Sequence, residues 1–255
     1  MNKNKTVLIS GATAGIGEAT AHEFAKHSYN LIITGRRIER LESLKTTLED
    51  EYGVAVHCLP MDVRVQKDVQ SLIDGLPEEW QKIDVLVNNA GLALGRDPIQ
   101  SGKLDDWETM LDTNVKGLLY LTRAVLPLML KQKSGHIINL SSIAAKEVYP
   151  NGNVYCASKH AVDALTKGMR IDLVSEGIKV SSIAPGMVDT EFSLVRYHGD
   201  KETADETYKG FTPLYAQDIA ETIYFVASRP AHVNINDVLL TGTAQATSTI
   251  VHKDL

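Results

Sequence analysis

The sequence predicts a doubly wound α/β fold: one domain, residues 1–255, with a parallel sheet of about seven strands and helices on both faces. Seven short apolar runs rich in Val and Ile alternate with longer stretches that have helical spacing. Such alternation builds βαβ units, whose crossovers are right-handed. No linker rich in Pro, Gly or Ser divides the 255 residues. We expect only residues 243–255 to form a separate element, a C-terminal tail.

The predicted strands leave room for a helix between most neighbours. They are 6–10, 31–34, 54–59, 84–88, 136–141, 179–184 and 237–240. Leucines recur at helical spacing in 38–53, and helices are also predicted over 105–131 and over 154–176, which Gly177 ends. Ligands bind outside the carboxyl ends of the strands in such sheets, so polar residues at these ends are candidate site residues.

The composition argues against several classes of protein. The chain is 44% apolar and 23% charged, which is ordinary for a globular domain, and its net charge of −6 argues against nucleic-acid binding. No apolar run is long enough for a membrane span, and the first ten residues lack a signal-peptide core. Cys58 and Cys156 make no disulfide framework, so we expect a reduced, cytoplasmic protein. The eight histidines show no metal-ligand spacing, so we expect no catalytic metal.

The stretch SGATAGIG, residues 10–17, follows the first predicted strand and opens a helix. Gly11, Gly15 and Gly17 suit a turn that packs closely against a phosphate, and the helix N-terminus offers free N–H groups to it. The alternative is a glycine-rich turn with no ligand. The position at the first strand–helix junction favours a dinucleotide site.

The second predicted strand ends without the carboxylate that often binds the ribose of NAD. Gly35 stands there instead, and Arg36 and Arg37 follow it. Guanidinium groups suit the 2′-phosphate of NADP, so the cofactor prediction is NADP(H), with Arg36 the stronger candidate contact. The alternative is a solvated helix start beside Glu39 and Arg40.

Tyr155 and Lys159 in YCASK share one face if the segment is helical. A lysine cation lowers the pKa of a neighbouring tyrosine, and the pair then suits proton exchange with a carbonyl or an alcohol. Such a pair alone is mostly structural. Here it accompanies Ser142 after the fifth strand, Asn114 in a predicted helix, and the motifs NNAG and IAPGMVDT at further strand ends.

This joint motif set resembles the classical short-chain dehydrogenases/reductases over nearly the whole chain. The resemblance implies a Rossmann fold and hydride transfer between NAD(P) and a carbonyl or an alcohol. It implies that Tyr155 is the general acid in reduction and that Lys159 lowers its pKa and binds the nicotinamide ribose. It implies that Ser142 polarises the substrate oxygen and that Asn114 holds a relay water. Ser10, where the family often has Thr, is a mild departure.

The resemblance also implies the cofactor contacts and the assembly. The cofactor-binding residues are Gly11, Thr13, Gly15, Ile16, Gly17, Arg36, Arg37, Asp62, Val63, Asn89, Ala90, Gly91, Tyr155, Lys159, Pro185, Gly186, Val188 and Thr190. The helices at 105–131 and 154–176 pair across a two-fold axis in the family, so we expect a homotetramer, with a dimer as the second choice. The tail is left open as disordered or packed on a neighbouring subunit.

The stretches ITGRRIERL, LALGRDPI, DDWETMLDTN, GNVYCASK, TEFSLVRYHGD and RPAHVNIND resemble a narrower group, the NADP-dependent 3-hydroxy acid dehydrogenases. That group implies a small anionic substrate: a β-hydroxy acid or malonic semialdehyde. Arg196 is the candidate anion contact, the alternative being an exposed loop arginine. Together with Ser142 and Tyr155, the predicted substrate residues are Tyr149, Asn151, Asn153 and Arg196.

Other functions stay open at this point. Sulfoacetaldehyde reduction needs the same basic anchor, and a 3-oxoacyl reductase needs a longer apolar cleft. A redox sensor that binds NADP(H) without turnover is the non-enzymatic alternative. A serine hydrolase is disfavoured, because the chain has no G-x-S-x-G motif around Ser142.

Overall fold

The structure, a computed structural model, describes residues 5–254. Its strands are β1 (Thr6–Ser10), β2 (Asn30–Gly35), β3 (Val56–Pro60), β4 (Val85–Asn88), β5 (Gly135–Leu140), β6 (Ile178–Pro185), β7 (Val188–Asp189), β8 (Leu214–Tyr215) and β9 (Asp237–Leu240). Seven of them form one parallel sheet in the order β3-β2-β1-β4-β5-β6-β9. The predicted α/β fold is therefore confirmed, and each of the seven predicted runs contributes one strand. The strands β7 and β8, which form a separate two-stranded sheet, were not predicted.

The helices alternate with these strands. They are α1 (Gly15–Lys26), α2 (Ile38–Tyr52), α3 (Gln66–Asp74), α4 (Leu104–Leu111), α5 (Leu118–Gln132), α6 (Asn153–Leu173), α7 (Glu191–Arg196), α8 (Lys201–Glu206) and α9 (Ala216–Ala227). The helix predicted over 105–131 is α4 and α5 joined by a π-helical turn, Asp112–Gly117. None of the helices in residues 5–254 is long and apolar enough to cross a membrane.

Alternate residues of each central strand enter two different hydrophobic cores. On β1, Val7 and Ile9 pack with residues of α1, α2 and α9, whereas Leu8 packs with residues of α3, α5 and α6. Side chains in a strand point to opposite faces in turn, so a strand covered on both faces is apolar throughout. Burying each such side chain contributes about 1.5–3 kcal/mol, which stabilises the sheet that carries the loops at its carboxyl edge.

The strand order reverses direction between β1 and β4, since β2 follows β1 on one side and β4 adjoins it on the other. The loops after these two strands therefore separate and leave a crevice. The segment between β6 and α9, which contains β7, α7, α8 and β8, lies beside this crevice.

The described part of the C-terminal tail packs against its own chain. A β-bridge joins Gln245 to Val251, and the backbone N–H of Ser248 donates to Glu147 Oε2 over 2.7 Å. Gln245 and Ser248 both line the crevice. The tail therefore contributes to the wall of the site, which neither alternative from the sequence had included.

Candidate active site

A cleft of about 420 Å³ opens at the carboxyl edge of the sheet. One end, the basic end, is lined by residues 35–37 and 61–64. The other, the tyrosine end, is lined by Ser142, Tyr155 and Lys159. The motifs that lie far apart in the sequence therefore face one continuous space.

Most predicted site residues line this cleft. Those that do are Gly11, Thr13, Gly15, Ile16, Arg36, Arg37, Asp62, Val63, Asn89, Ala90, Gly91, Ser142, Tyr149, Tyr155, Lys159, Pro185, Gly186, Val188, Thr190 and Arg196. Gly17 and Asn114 are not among the lining residues: Gly17 packs against the Gly11 carbonyl, and Asn114 Oδ1 accepts from the N–H of Leu92 over 2.9 Å.

The glycine loop between β1 and α1 requires glycine for its backbone. Gly11 and Gly15 have φ of 69° and 56°, in the left-handed region that favours glycine. A Cβ on Gly17 would overlap the carbonyl oxygen of Gly11. Ala14, before α1, offers no side-chain cap, so the first N–H groups of the helix have no side-chain partner. This loop fits a pyrophosphate at a helix N-terminus.

Ser10 joins the glycine loop to the loop after β4. Its hydroxyl accepts hydrogen bonds from the backbone N–H groups of Asn89 and Ala90, both at 3.0 Å. The Asn89 side chain donates in return to the carbonyls of Ser10 (2.8 Å) and Gly11 (3.2 Å). Ser10 therefore makes these contacts with a serine hydroxyl, at the position where the family often has Thr.

The two arginines at the basic end differ in their contacts. Arg36 is exposed, and no hydrogen bond or ion pair joins its side chain to another residue within 5–254. Arg37 donates to Thr13 Oγ1 (2.9 Å) and pairs with Glu191 (3.3 Å), which also pairs with Arg40 (2.9 Å). Arg36 is thus the arginine free to meet a phosphate.

Gly35 and Asp62 shape the rest of the basic end. A Cβ on Gly35 would lie 2.6 Å from Thr13 Cγ2, so glycine there allows Thr13 to pack closely. The guanidinium of Arg64 lies 2.7 Å from Asp62 and holds the pKa of that carboxyl below its usual value. Asp62 is therefore a fixed carboxylate.

At the tyrosine end, α6 carries Tyr155 and, one turn later, Lys159. Both are buried, with 9% and 6% of their surface exposed. Lys159 Nζ donates to the carbonyl of Leu140 over 2.9 Å and lies 5.9 Å from the centre of the Tyr155 ring. Ser142 adjoins them at the end of β5, and its hydroxyl accepts from the backbone N–H of Ala144 (3.1 Å).

Asn114 supports this group from the π-helical turn between α4 and α5. Its amide accepts from the N–H of Leu92 (2.9 Å), donates to the carbonyl of Leu92 (2.8 Å), and donates to Ser158 Oγ (3.0 Å). A Cβ on Gly91 would lie 3.3 Å from Asn114 Oδ1 and 3.5 Å from Lys159 Nζ. Asn114 and Lys159 therefore converge beside Gly91; the relay water stays a prediction.

Burial controls the protonation of the pair. It raises the pKa of Tyr155 far above its usual value; Tyr149 adds to this effect, and the charge of Arg196 opposes it. Burial also lowers the pKa of Lys159 to about 8. Near neutrality Tyr155 therefore holds its proton, as a general acid must. That Lys159 lowers the Tyr155 pKa stays a prediction.

Arg196 ends α7 and lies among aromatic rings, not on an exposed loop. Its Cζ lies 4.9 Å from the centre of the Tyr155 ring and 5.2 Å from that of Phe192. One terminal nitrogen donates to Tyr149 Oη over 2.8 Å, while the buried Nε has no hydrogen-bond partner. No carboxylate within residues 5–254 forms an ion pair with Arg196. An enclosed cation without a counter-ion is costly, and a bound anion would relieve that cost.

The structure does not bring Asn151 and Asn153 to the cleft. They line a small separate pocket behind Arg196, and Asn153 donates to the carbonyl of Asp97 over 3.1 Å. The reason is the start of α6 at Asn153, which turns the chain away between Tyr149 and Tyr155. Of the three substrate residues predicted just before Tyr155, Tyr149 alone lines the main cleft.

The sequence analysis missed several wall residues. Phe192, Tyr208 and Arg96 line the tyrosine end, and Gln245 reaches it from the tail. The aromatic and basic residues that follow the predicted sixth strand were a usable signal for Phe192 and Tyr208. No pattern in the sequence indicated Gln245. Within residues 5–254 no cluster of three His, Cys, Asp or Glu side chains is arranged to hold a metal.

Comparison with known proteins agrees with this geometry. The family model for short chain dehydrogenases matches residues 5–199. Sulfoacetaldehyde reductase 2 of Chromohalobacter salexigens is 49% identical, over 95% of this chain and 96% of that protein. The NADP-dependent 3-hydroxy acid dehydrogenase YdfG of Salmonella typhi is 48% identical, over 94% and 96%. The closed form of a serine dehydrogenase complexed with NADP+ superposes with a TM-score of 0.91 at 43% identity, covering 98% of this chain and 100% of that one.

Proposed function

Because the chain belongs to the short-chain dehydrogenase family, we propose that it is an NADP(H)-dependent oxidoreductase that interconverts a small anionic aldehyde and its hydroxy acid. The observation that carries the substrate class is Arg196, an enclosed guanidinium beside Tyr155 with an unused donor. Malonic semialdehyde with 3-hydroxypropionate, serine and 3-hydroxyisobutyrate are substrates of this type.

Support for NADP(H) comes from both the site and the relatives. The glycine loop fits a pyrophosphate, and at the end of β2 Gly35 stands in place of a carboxylate, next to Arg36, which makes no side-chain hydrogen bond or ion pair within residues 5–254. A relative at 48% identity is named NADP-dependent, and the serine dehydrogenase structure holds NADP+. Residues 35–37 and the glycine loop would hold the two phosphate regions, and Lys159 would bind the ribose near the tyrosine end.

The bound cofactor supplies the hydride, and this chain supplies the proton and the orientation. Tyr155 holds a proton at neutral pH and delivers it from Oη to the substrate oxygen as that oxygen gains charge. Ser142 donates a hydrogen bond to the same oxygen and polarises the carbonyl. In the oxidative direction Tyr155 accepts the proton as a phenolate, and the nearby cations Lys159 and Arg196 favour that deprotonated form.

Arg196 orients the acid group of the substrate. Its guanidinium lies over the Tyr155 ring, 4.9 Å from the ring centre, which supports contact of one small acid with both residues. Carboxylates and sulfonates both accept charge-assisted hydrogen bonds from a guanidinium. Sulfoacetaldehyde reduction is therefore a second candidate, and the relative that is 49% identical and named for that reaction favours it.

The direct test is oxidation of NADPH with malonic semialdehyde, sulfoacetaldehyde and an uncharged aldehyde of equal length. The reverse panel is NADP+ with 3-hydroxypropionate, serine and isethionate. We expect kcat/KM for an anionic substrate to exceed that for the uncharged aldehyde by at least tenfold. Preference for the uncharged compound, or for an acetoacetyl ester, would refute the substrate class. Tight NADPH binding without any turnover would favour the redox-sensor alternative.

A variant separates the anion contact from general effects. Arg196→Met keeps much of the apolar volume and should raise KM for the anionic substrate about 10- to 100-fold, since a hydrogen bond to a charged group contributes about 1.5–3 kcal/mol. Arg229→Met is the matched control, because Arg229 lies outside the cleft. An unchanged KM in Arg196→Met would remove this residue from the substrate site.

The homotetramer also belongs to the proposal. Apolar side chains of α4, α5 and α6 are exposed on the single chain, among them Leu104, Leu119 and Ile171 at 66%, 36% and 74%. Exposed apolar side chains grouped on helices are typical of subunit contacts. Analytical ultracentrifugation tests the assembly: a monomer at micromolar concentration would refute it.

A further inference from the structure

The segment 186–188, which lines the tyrosine end directly after β6, is held by four hydrogen bonds. The N–H of Gly186 donates to the carbonyl of Leu240 over 2.8 Å. The N–H of Leu214 donates to the carbonyl of Met187, the second residue, over 3.0 Å. The Tyr208 hydroxyl donates to the carbonyl of Val188 over 2.7 Å. The N–H of the second residue, Met187, donates to Gln245 Oε1 over 2.8 Å. Among tail residues 243–254, Gln245 is thus the one with a side chain bonded to this segment's backbone.

Gln245 is itself held in a single orientation. Its side chain is buried, with 3% of the residue exposed, and its Nε2 donates to the carbonyl of Thr247 over 3.2 Å. Its backbone N–H donates to the carbonyl of Gly242 over 2.8 Å. A Cβ on Gly186 would overlap Gln245 Oε1, so the glycine permits this close contact. The amide oxygen is therefore fixed against Met187.

The bond from Met187 to Gln245 is part-buried at the wall of the cleft. An N–H that loses such an acceptor costs up to about 1–3 kcal/mol, so we expect the segment to shift toward another partner. Gly186, Met187 and Val188 line the cleft together with Gln245. Such a shift would move the wall beside Tyr155, and a misplacement of about 1 Å at a reacting centre can cost about 100-fold in rate.

We propose that Gln245 is a positioning residue that sets the place of the 186–188 segment and, through it, the nicotinamide end of the bound cofactor. This inference rests on the proposed NADP(H) site. It separates two duties along the cleft: the basic end holds the cofactor, and the tail aligns its reactive end. Loss of the Gln245 amide therefore lowers kcat and leaves cofactor affinity close to its original value.

The test compares Gln245→Met, which keeps the length and removes the acceptor, with Gln245→Asn, which withdraws the amide by one methylene. Thr243→Ala is the matched control, because Thr243 is exposed in the same tail and lies outside the cleft. We expect kcat to fall 10- to 100-fold in both Gln245 variants, with KM for NADPH changed less than threefold. Either variant suffices if the other fails to fold, which thermal unfolding reports.

A second readout needs no substrate. Fluorescence emission of bound NADPH reports the surroundings of the nicotinamide, and we expect it to change in the Gln245 variants at an unchanged dissociation constant. Unchanged emission and unchanged kcat would overturn the inference. So would losses of kcat and NADPH affinity in equal proportion, which indicate general damage. If no substrate of the panel reacts, the proposed substrate class is refuted. The emission of bound NADPH still tests whether Gln245 positions the nicotinamide end.

Discussion

Arginines stand at both ends of the cleft, in opposite surroundings. At the basic end the side chains of Arg37 and Arg40 are 44% and 47% exposed, and they pair with the equally exposed Glu191. At the tyrosine end Arg196 is packed among the rings of Phe192 and Tyr155, and its Nε is buried without a partner.

Charge has a larger effect at the tyrosine end than at the basic end. Water and salt screen exposed charges, so pairs at the basic end contribute about 0–1 kcal/mol each. At the tyrosine end burial lowers the pKa of Lys159 to about 8 and raises that of Tyr155. In the proposed function, the chemistry depends on the buried side chains of the tyrosine end, and the preference for NADP(H) depends on the exposed arginines of the basic end. Four substitutions test this contrast.

The largest effect is expected from Tyr155→Phe. The change removes the proton donor and leaves the ring, so kcat should fall about 1,000-fold or more, as expected for loss of a general acid. NADPH binding, measured by fluorescence titration, should change less than threefold. Tyr215→Phe, an exposed tyrosine at the start of α9, is the control. Residual turnover within tenfold of the original would contradict the assigned role.

Lys159→Met tests the cost of a buried charge. In the folded chain the Lys159 pKa falls from 10.5 to about 8. Below pH 8 the folded state must bury the ammonium, and between pH 8 and 10 the unfolded state binds the extra proton, so stability rises with pH. Without cofactor at pH 7, we expect the free energy of unfolding of the variant to exceed that of the original protein by up to about 3 kcal/mol.

This advantage should shrink as the pH approaches 9.5, measured by urea unfolding of both proteins. The lost bond to the Leu140 carbonyl reduces the gain at every pH by a similar amount, so the trend with pH is the decisive quantity. A difference that stays constant from pH 7 to 9.5 would show that Lys159 is not desolvated.

Arg36→Ala tests the basic end. The variant should weaken NADPH binding about tenfold and leave NADH binding unchanged, because the missing charge faces the 2′-phosphate alone. Raising the salt from 50 to 500 mM should reduce the difference between the two proteins, since the contact is exposed. Equal losses for NADPH and NADH would mean that Arg36 is only a solvated helix start.

The smallest effect is expected from Glu191→Gln. This change removes a carboxylate near the basic end and releases Arg37 and Arg40. NADPH should then bind more tightly by a factor of at most about three, because an exposed ion pair contributes little. Isothermal titration at 100 mM salt measures this. Weaker binding would show that the pair mainly holds α7 over the cleft.

The main sheet was predictable because its signal is repeated and local. A parallel strand buried on both faces is apolar throughout, and β1 and β9 coincide with their predicted runs. The two-residue strands β7 and β8 and the six-residue helices α7 and α8 were missed. Segments so short carry no periodicity to recognise.

The sequence alone predicts the fold class, the glycine loop and the residue types of the proposed acid/base group, because these patterns lie among neighbours along the chain. Tertiary structure alone decided that Arg196 is enclosed beside Tyr155 and that Asn151 and Asn153 face away. It also brought Gln245 to Met187, 58 residues earlier. Desolvation and hydrogen-bond partners depend on the groups that packing places around an atom, and spacing along the chain does not specify those groups.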